Sequence, residues 1–217
     1  MAFQSAIRIA GEGQIHPGKM MKSLVEKARG MEVEIQHGWS VEAINRLPQG
    51  FLTEDKTGRY LVSEKVLVAT NGFSRRLLPQ LDLRPARNQV IITKPVPALA
   101  LRGNFHARAG YVYFRNVGNR LLIGGFRDLD PEGESTSEAG FSQNIQQALE
   151  AFVNEHLLPP GTWTVEQRWS GILGVGSIKS PILEEIQPGL WCAVRLGGMG
   201  VALGAGLGAE AAEKLYG

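Results

Sequence analysis

Leu190-Trp191-Cys192-Ala193-Val194-Arg195-Leu196-Gly197-Gly198-Met199-Gly200-Val201-Ala202-Leu203-Gly204 reads as an apolar strand, a glycine turn and the opening of a helix. Working outward, the strand covers Leu190 to Leu196, the turn Gly197 to Gly200, and an Ala- and Gly-rich helix runs on to Leu215. A strand feeding a glycine turn at a helix N-terminus leaves backbone N–H groups pointing outward with the helix dipole behind them. Such a place can hold an anion or a carbonyl. Gly204 and Gly208, four apart, share a helical face and permit close approach to another backbone, at about 1 kcal/mol each in helix propensity. A close-packed buried helix without a ligand explains the same spacing, and the spacing alone does not separate the two. A dinucleotide fingerprint would need G-x-G-x-x-G and an acidic residue ~20 positions on. The turn does not meet that pattern, so it is not a Rossmann start.

Composition narrows the classes around this motif. The 217 residues are 43% hydrophobic and 20% charged, which excludes a disordered tail. One cysteine, Cys192, permits no internal disulfide and no cysteine-based zinc cluster, so a reducing cytoplasm is the expected location. It stands in an apolar strand and reads as a buried, inert thiol. A net charge of +2 from scattered Lys and Arg gives no case for nucleic acid. His16, His37, His106 and His156 lack metal-ligand spacing, so no metal is expected. Met1 to Ile9 shows no leader pattern. Leu196 to Ala209, 14 uncharged residues with six glycines, is too short for a membrane helix of ~20 apolar residues. Ten of the 27 glycines crowd between Gly171 and Gly208.

Elsewhere the pattern predicts mixed α/β to α+β structure. Ala6 to Ile9 is strand-like. Pro17 opens a helix with Met20, Met21, Leu24, Val25 and Ala28 expected on one buried stripe, closed by Gly30. Short strands follow at Val33–Ile35, Ser40–Arg46 and Gly50–Thr53. Lys65 to Ala69 is a continuous apolar run of the kind found mid-sheet, ending in the turn Thr70-Asn71-Gly72 and a short helix at Ser74–Leu78. Gln89 to Thr93 reads as a strand, and Tyr111–Arg115 with Arg120–Gly124 as a hairpin. Ser135 with Glu138 fits a capping box before a helix bearing Phe141, Ile145, Leu149 and Phe152 on one face. With a crossing near Pro85, three segments result: 1–85, 86–165 and 166–217.

Four stretches in order resemble the D-amino-acid-oxidase-like FAD-dependent oxidoreductases, the group of glycine oxidase and sarcosine oxidase. Gln14-Ile15-His16-Pro17-Gly18-Lys19-Met20 is similar to that family's helix opening. Val66-Leu67-Val68-Ala69-Thr70-Asn71-Gly72-Phe73-Ser74 is similar to its strand and loop along the FAD. Trp169-Ser170-Gly171, with Pro181 beyond, resembles its W-x-G-l-R-P…D-G-x-P segment, and Gly197 to Gly200 its C-terminal flavin-contacting turn. The resemblance implies that 1–85 is the second part of an FAD-binding, Rossmann-like domain. It implies that 86–165 is an inserted antiparallel-sheet substrate domain, and that 166–217 returns to the FAD domain. It further implies FAD held by Ala69, Thr70, Asn71, Gly72, Gly197, Gly198, Met199 and Gly200. The implied reaction is oxidation of a small amino acid or secondary amine, with hydride passing to the flavin. Two departures stand out. The family's leading βαβ unit with G-x-G-x-x-G is missing, so the chain reads as lacking roughly 150 N-terminal residues, about a domain. The arginine of W-x-G-l-R-P, which grips a substrate carboxylate in several members, is Leu173, and the Asp-Gly pair is Ile178-Lys179.

Orientation matters more than acid/base groups in such chemistry, because the cofactor carries the difficult step. A cation must fix the carboxylate, and arginine does so with two hydrogen bonds. Arg195, Lys179, Arg127 and Arg115 are the available replacements; Arg195 stands where the family usually has glycine. Arg195 or Lys179 is expected to contact the flavin pyrimidine or the substrate anion, and for these two a solvated surface charge is the competing reading. Tyr111 and Tyr113 alternate about Val112 and form either a pocket wall or ordinary sheet packing. The alternative to a flavoenzyme is a non-catalytic remnant or interaction subunit that does not hold FAD alone. The surface left by a missing sheet half would favour self-association.

Overall fold

Residues 6–217 are described here by a computed structural model. In chain order the elements are α1 (Pro17–Gly30), β1 (Val41–Leu47), β2 (Gly50–Asp55), β3 (Tyr60–Ser63), β4 (Val66–Val68), β5 (Arg84–Thr93) and β6 (Asn104–Ala107). Then come β7 (Val112–Val117), β8 (Arg120–Gly125), α2 (Gln143–Phe152), β9 (Val165–Val175), β10 (Ile182–Gln187), β11 (Leu190–Val194) and α3 (Gly200–Tyr216). Short 3-10 turns occupy Asn71–Arg76, Arg108–Gly110 and Arg127–Leu129, and α2 runs on into a π turn at Val153–Leu157. The chain divides into two units. One, the sheet unit, holds residues 6–15 and Ala86–Ile172; the other, the turn unit, holds His16–Pro85 and Leu173–Gly217. The expected mixed α/β class with antiparallel sheets is what forms.

In the sheet unit, five strands lie in the order β6-β7-β8-β5-β9. Alternation along β7 sends Val112 and Phe114 to one face, where they meet Ile91, Leu121 and Ile123. Helix α2 covers that face with Ile145, Leu149 and Phe152. Full burial of side chains this size contributes about 1.5–3 kcal/mol each. Phe141, expected on the same stripe, lies before the helix and is 53% exposed. The helix also begins later than the capping-box pattern suggests: its N-cap position is Ser142, and Ser135 lies in the preceding loop. That loop is organised by a buried carboxylate instead. Glu134 accepts from Arg87, Gln89 and Ser142, so it ties the loop to β5 and to the start of α2.

In the turn unit, β1, β2 and β3 form an antiparallel sheet, and β10-β11-β4 a second one in which β4 runs parallel to β11. Phe51, Val68, Leu81, Leu83, Leu190 and Val194 belong to its core. The apolar run Lys65–Ala69 suggested a central strand. β4 instead lies at the end of its three-strand order, with Val68 buried and Leu67 38% exposed. Helix α1 has its expected bounds and a Pro at its start, but it buries none of its residues: Met21 and Leu24 are about half exposed.

Ala6–Ile9 and Val33–Ile35 form no strand. Their isolated apolar residues find no neighbouring strand to pair with. The reading of Met1–Ile9 as lacking a leader falls in part on residues 1–5, outside the described residues. Among the described residues no helix is long and apolar enough to cross a membrane, and no His/Cys/Asp/Glu group is arranged to hold a metal.

Candidate functional site

In the turn unit the chain leaves β11 through two residues tied down on both sides. Leu196 N–H donates to Asn71 Oδ1 at 3.2 Å, and Gly197 N–H donates to the Gly174 carbonyl at 2.9 Å. Gly174 makes this approach possible, since a Cβ there would lie 2.5 Å from Asn71 Oδ1 and 3.1 Å from the Gly72 amide. Gly197 and Gly198 then take φ of +58° and +91°, and α3 begins. No side chain caps α3, and the amides of Gly198, Gly200 and Val201 have no carbonyl partner among the described residues. Met199 and Val201, each about half exposed, form an apolar lip beside them. Asn71, Gly72 and Gly197–Gly200 are thus brought together around one turn. Ala69 and Thr70 are exposed, and the Thr70 hydroxyl is hydrogen-bonded to Ser74 at 2.9 Å.

Arg195, immediately before this turn, is only 6% exposed. Its Nε donates to the Ser180 carbonyl at 2.8 Å, and one terminal nitrogen donates to Asp82, at 3.0 Å to the carbonyl and 2.8 Å to the carboxylate. Asp82 also accepts from the amide and hydroxyl of Ser177. Those bonds, with the charge of Arg195, hold its carboxyl below the usual range against the opposing effect of burial. Lys179 is exposed. Cys192 is fully buried, and burial pushes its thiol up.

The sheet unit has a second cluster, at the corner where the segment before β7 meets the end of β8. Tyr111 lies one residue before the strand and is 41% exposed, with the Arg127 guanidinium 5.3 Å above its ring. Among the described residues Arg127 has no carboxylate partner. Phe126 carries Arg127 there by adopting φ +62° while its own ring packs edge-on against Phe152. Arg108 lies over Phe126 and pairs with Asp128 at 2.8 Å. Phe126 N–H donates to the Tyr111 carbonyl at 2.9 Å, and a Cβ on Gly125 would collide with that same oxygen. Tyr113 is placed differently. Its hydroxyl accepts from Asn88 at 3.3 Å beside Gly124, and burial raises its pKa to about 12. Arg115 donates to the Ile15 carbonyl.

Backbone strain marks both clusters. Of seven non-glycine residues with positive φ among the described residues, Asn71 and Arg195 flank the glycine turn, while Arg108, Ala109 and Phe126 build the Tyr111 corner. Left-handed backbone at such residues costs about 1–3 kcal/mol and concentrates at functional sites. Sequence reasoning missed Asp82, Asn88, Arg108 and Gly174. Only Gly174 carried a signal, since an isolated glycine in a strand marks close backbone approach.

A family model described as DAO, FAD dependent oxidoreductase, matches residues 2–214. The chain belongs to the DAO family. The probable oxidoreductase OrdL of Rhizobium meliloti is 23% identical over 99% of this chain and 49% of its own length. The bifunctional protein MnmC of Idiomarina loihiensis, named for tRNA 5-methylaminomethyl-2-thiouridine biosynthesis, is 27% identical over 64% of this chain and 23% of its own. Among solved structures, L-proline dehydrogenase from P. horikoshii has a TM-score of 0.77 at 14% identity, over 92% of this chain and 55% of its own. Glycine oxidase from Geobacillus kaustophilus has 0.65 at 22%, over 82% and 49%. The chain spans about half the length, or less, of each of these proteins. The turn has the chemistry to hold a group bearing hydrogen-bond acceptors, since the amides of Gly198, Gly200 and Val201 have no carbonyl partner among the described residues.

Proposed function

We propose that this chain is, or is part of, an FAD-dependent oxidoreductase that oxidises a small amino acid or secondary amine by hydride transfer to flavin. The observation that carries this reading is the glycine turn at Gly197–Gly200, tied to Asn71 and Gly174, whose Gly198 and Gly200 amides have no carbonyl partner among the described residues. Asn71, Gly72, Gly197, Gly198, Met199 and Gly200 would hold the flavin, with Ala69 and Thr70 beside them. When bound, the flavin supplies the two-electron acceptor. The chain's own part is recognition and orientation. Arg127 stacked on Tyr111 is the cation we assign to a substrate carboxylate, because among the described residues it has no acidic partner. Arg195 and Lys179 serve this role less well, the first engaged with Asp82 and the second exposed.

A second reading keeps the fold and removes independent flavin binding: a remnant or interaction subunit. The exposed apolar side chains of α1 favour it. Titration of the purified chain with FAD separates the two. Saturable quenching of flavin fluorescence, with oxidised-flavin absorbance retained through gel filtration, supports the flavoenzyme. A colourless chain that ignores added FAD supports the subunit.

A further inference from the structure

Arg195 occupies a backbone conformation that glycine would adopt freely, yet it is one of the most buried charged residues described. Four observations bear on why. Its φ is +62°, which an arginine adopts only when its surroundings enforce it. Its guanidinium bonds in two directions, to Ser180 and to Asp82. Gly176 packs against its stem so closely that a Cβ would lie 2.6 Å from Arg195 Cδ and 2.5 Å from the Asp82 carbonyl. Leu196, the next residue, is held by Asn71, itself left-handed at φ +45°. Side-chain bonds therefore hold the backbone where intrinsic preference would release it.

We propose that Arg195 is a positioning residue: with Asp82 it forms a clamp that sets the direction in which the chain enters the Gly197–Gly200 turn. This rests on the reading of that turn as the flavin contact. The arginine does not touch the ligand. It converts a glycine-type hinge into a fixed one, so the open amides of Gly198, Gly200 and Val201 stay aimed in one direction. Fixing a loop in its binding conformation lowers the ordering penalty when a ligand arrives.

The clamp is tested on the full chain with R195G, R195A and D82N. Each is followed by hydrogen exchange at the Leu196 and Gly197 amides and by thermal melting, with FAD titration as a separate readout. In R195G, which relieves the left-handed strain, we expect melting at or above the wild-type temperature. Its Leu196 and Gly197 amides are nevertheless expected to exchange roughly tenfold faster. D82N gives the same acceleration, and R195K, which keeps the charge, recovers part of the protection. A merely structural arginine would lower the melting temperature and the exchange protection together in R195G. Unchanged exchange in R195G and D82N overturns the clamp. If R195A fails to fold, R195G and D82N still decide. Should the wild-type chain ignore FAD, the flavin reading fails while the exchange comparison still judges the clamp. Equal FAD affinity in wild type and R195G overturns the link between clamp and flavin.

Discussion

At the scale of single residues, the corner around Tyr111 depends on a glycine with no substitute. Gly125 has φ +124°, and a Cβ there would strike the Tyr111 carbonyl. G125A is therefore expected to lose about 3 kcal/mol or more through combined strain and overlap. Urea denaturation of the variant measures this; a change within about 0.5 kcal/mol, as for an ordinary surface site, would refute the corner's geometry. Tyr113 supplies a pH test. Its hydroxyl loses its proton near pH 12 in the folded chain, against the ordinary value of 10.0. The folded state thus binds more protons than the unfolded one between those values, so stability falls as pH rises through that window. Y113F is expected to flatten the alkaline limb of a stability–pH profile.

At the scale of elements, the Glu134 network joins three pieces of the sheet unit. The carboxylate is 2% exposed; burial opposes its charge, but bonds from Arg87, Gln89 and Ser142 outweigh that and hold its carboxyl below the usual range. Gln89 also accepts from the side chain of Gln146 on α2, and Arg168 on β9 bonds Gln146 and Glu150. Removing the acid strands Arg87, whose side chain is 13% exposed. E134A is expected to cost roughly 2–4 kcal/mol, read as a shift of the denaturation midpoint, whereas E134Q, which keeps the acceptor oxygen, costs less. Equal losses would assign the effect to packing rather than charge. None of this network was legible in the sequence, because Arg87, Gln89, Glu134 and Ser142 meet only after β5 and the loop are folded together. Periodic signals were legible in the bounds of helix α1, in the alternation of β7, and in Ile145, Leu149 and Phe152 on α2, whereas the burial expected for the α1 stripe does not occur. β6 and β10 escaped notice because neither alternates, and their pairing comes from the neighbouring strand. At the site, the glycine turn announced itself through composition, while its Asp82 and Gly174 supports lie more than 20 residues away in the chain.

At the scale of the whole molecule, apolar side chains remain on the surface, with Met21 and Leu24 on α1 and Leu61 and Val62 on β3 each about half exposed. Contiguous apolar surface of more than a few hundred Å² promotes association. The purified chain is expected to sediment above its 23.6 kDa monomer mass, and M21K/L24K to return it toward that mass; a wild-type chain that stays monomeric at every concentration contradicts this. Chain connectivity has a separate consequence. β4 finds its parallel partner in β11, so Val66 waits for Leu190 before the sheet can close. The sheet unit lies almost wholly between those two strands and contains its own hairpin and helix. During synthesis it can therefore form while the turn unit is still half made. A ribosome that stalls or terminates before Leu190 would release a molecule whose sheet unit is finished but whose parallel strand has nothing to pair with. Nascent chains stopped at Gly189 are expected to resist protease across Val112–Phe152 while Val66–Val68 is cut readily.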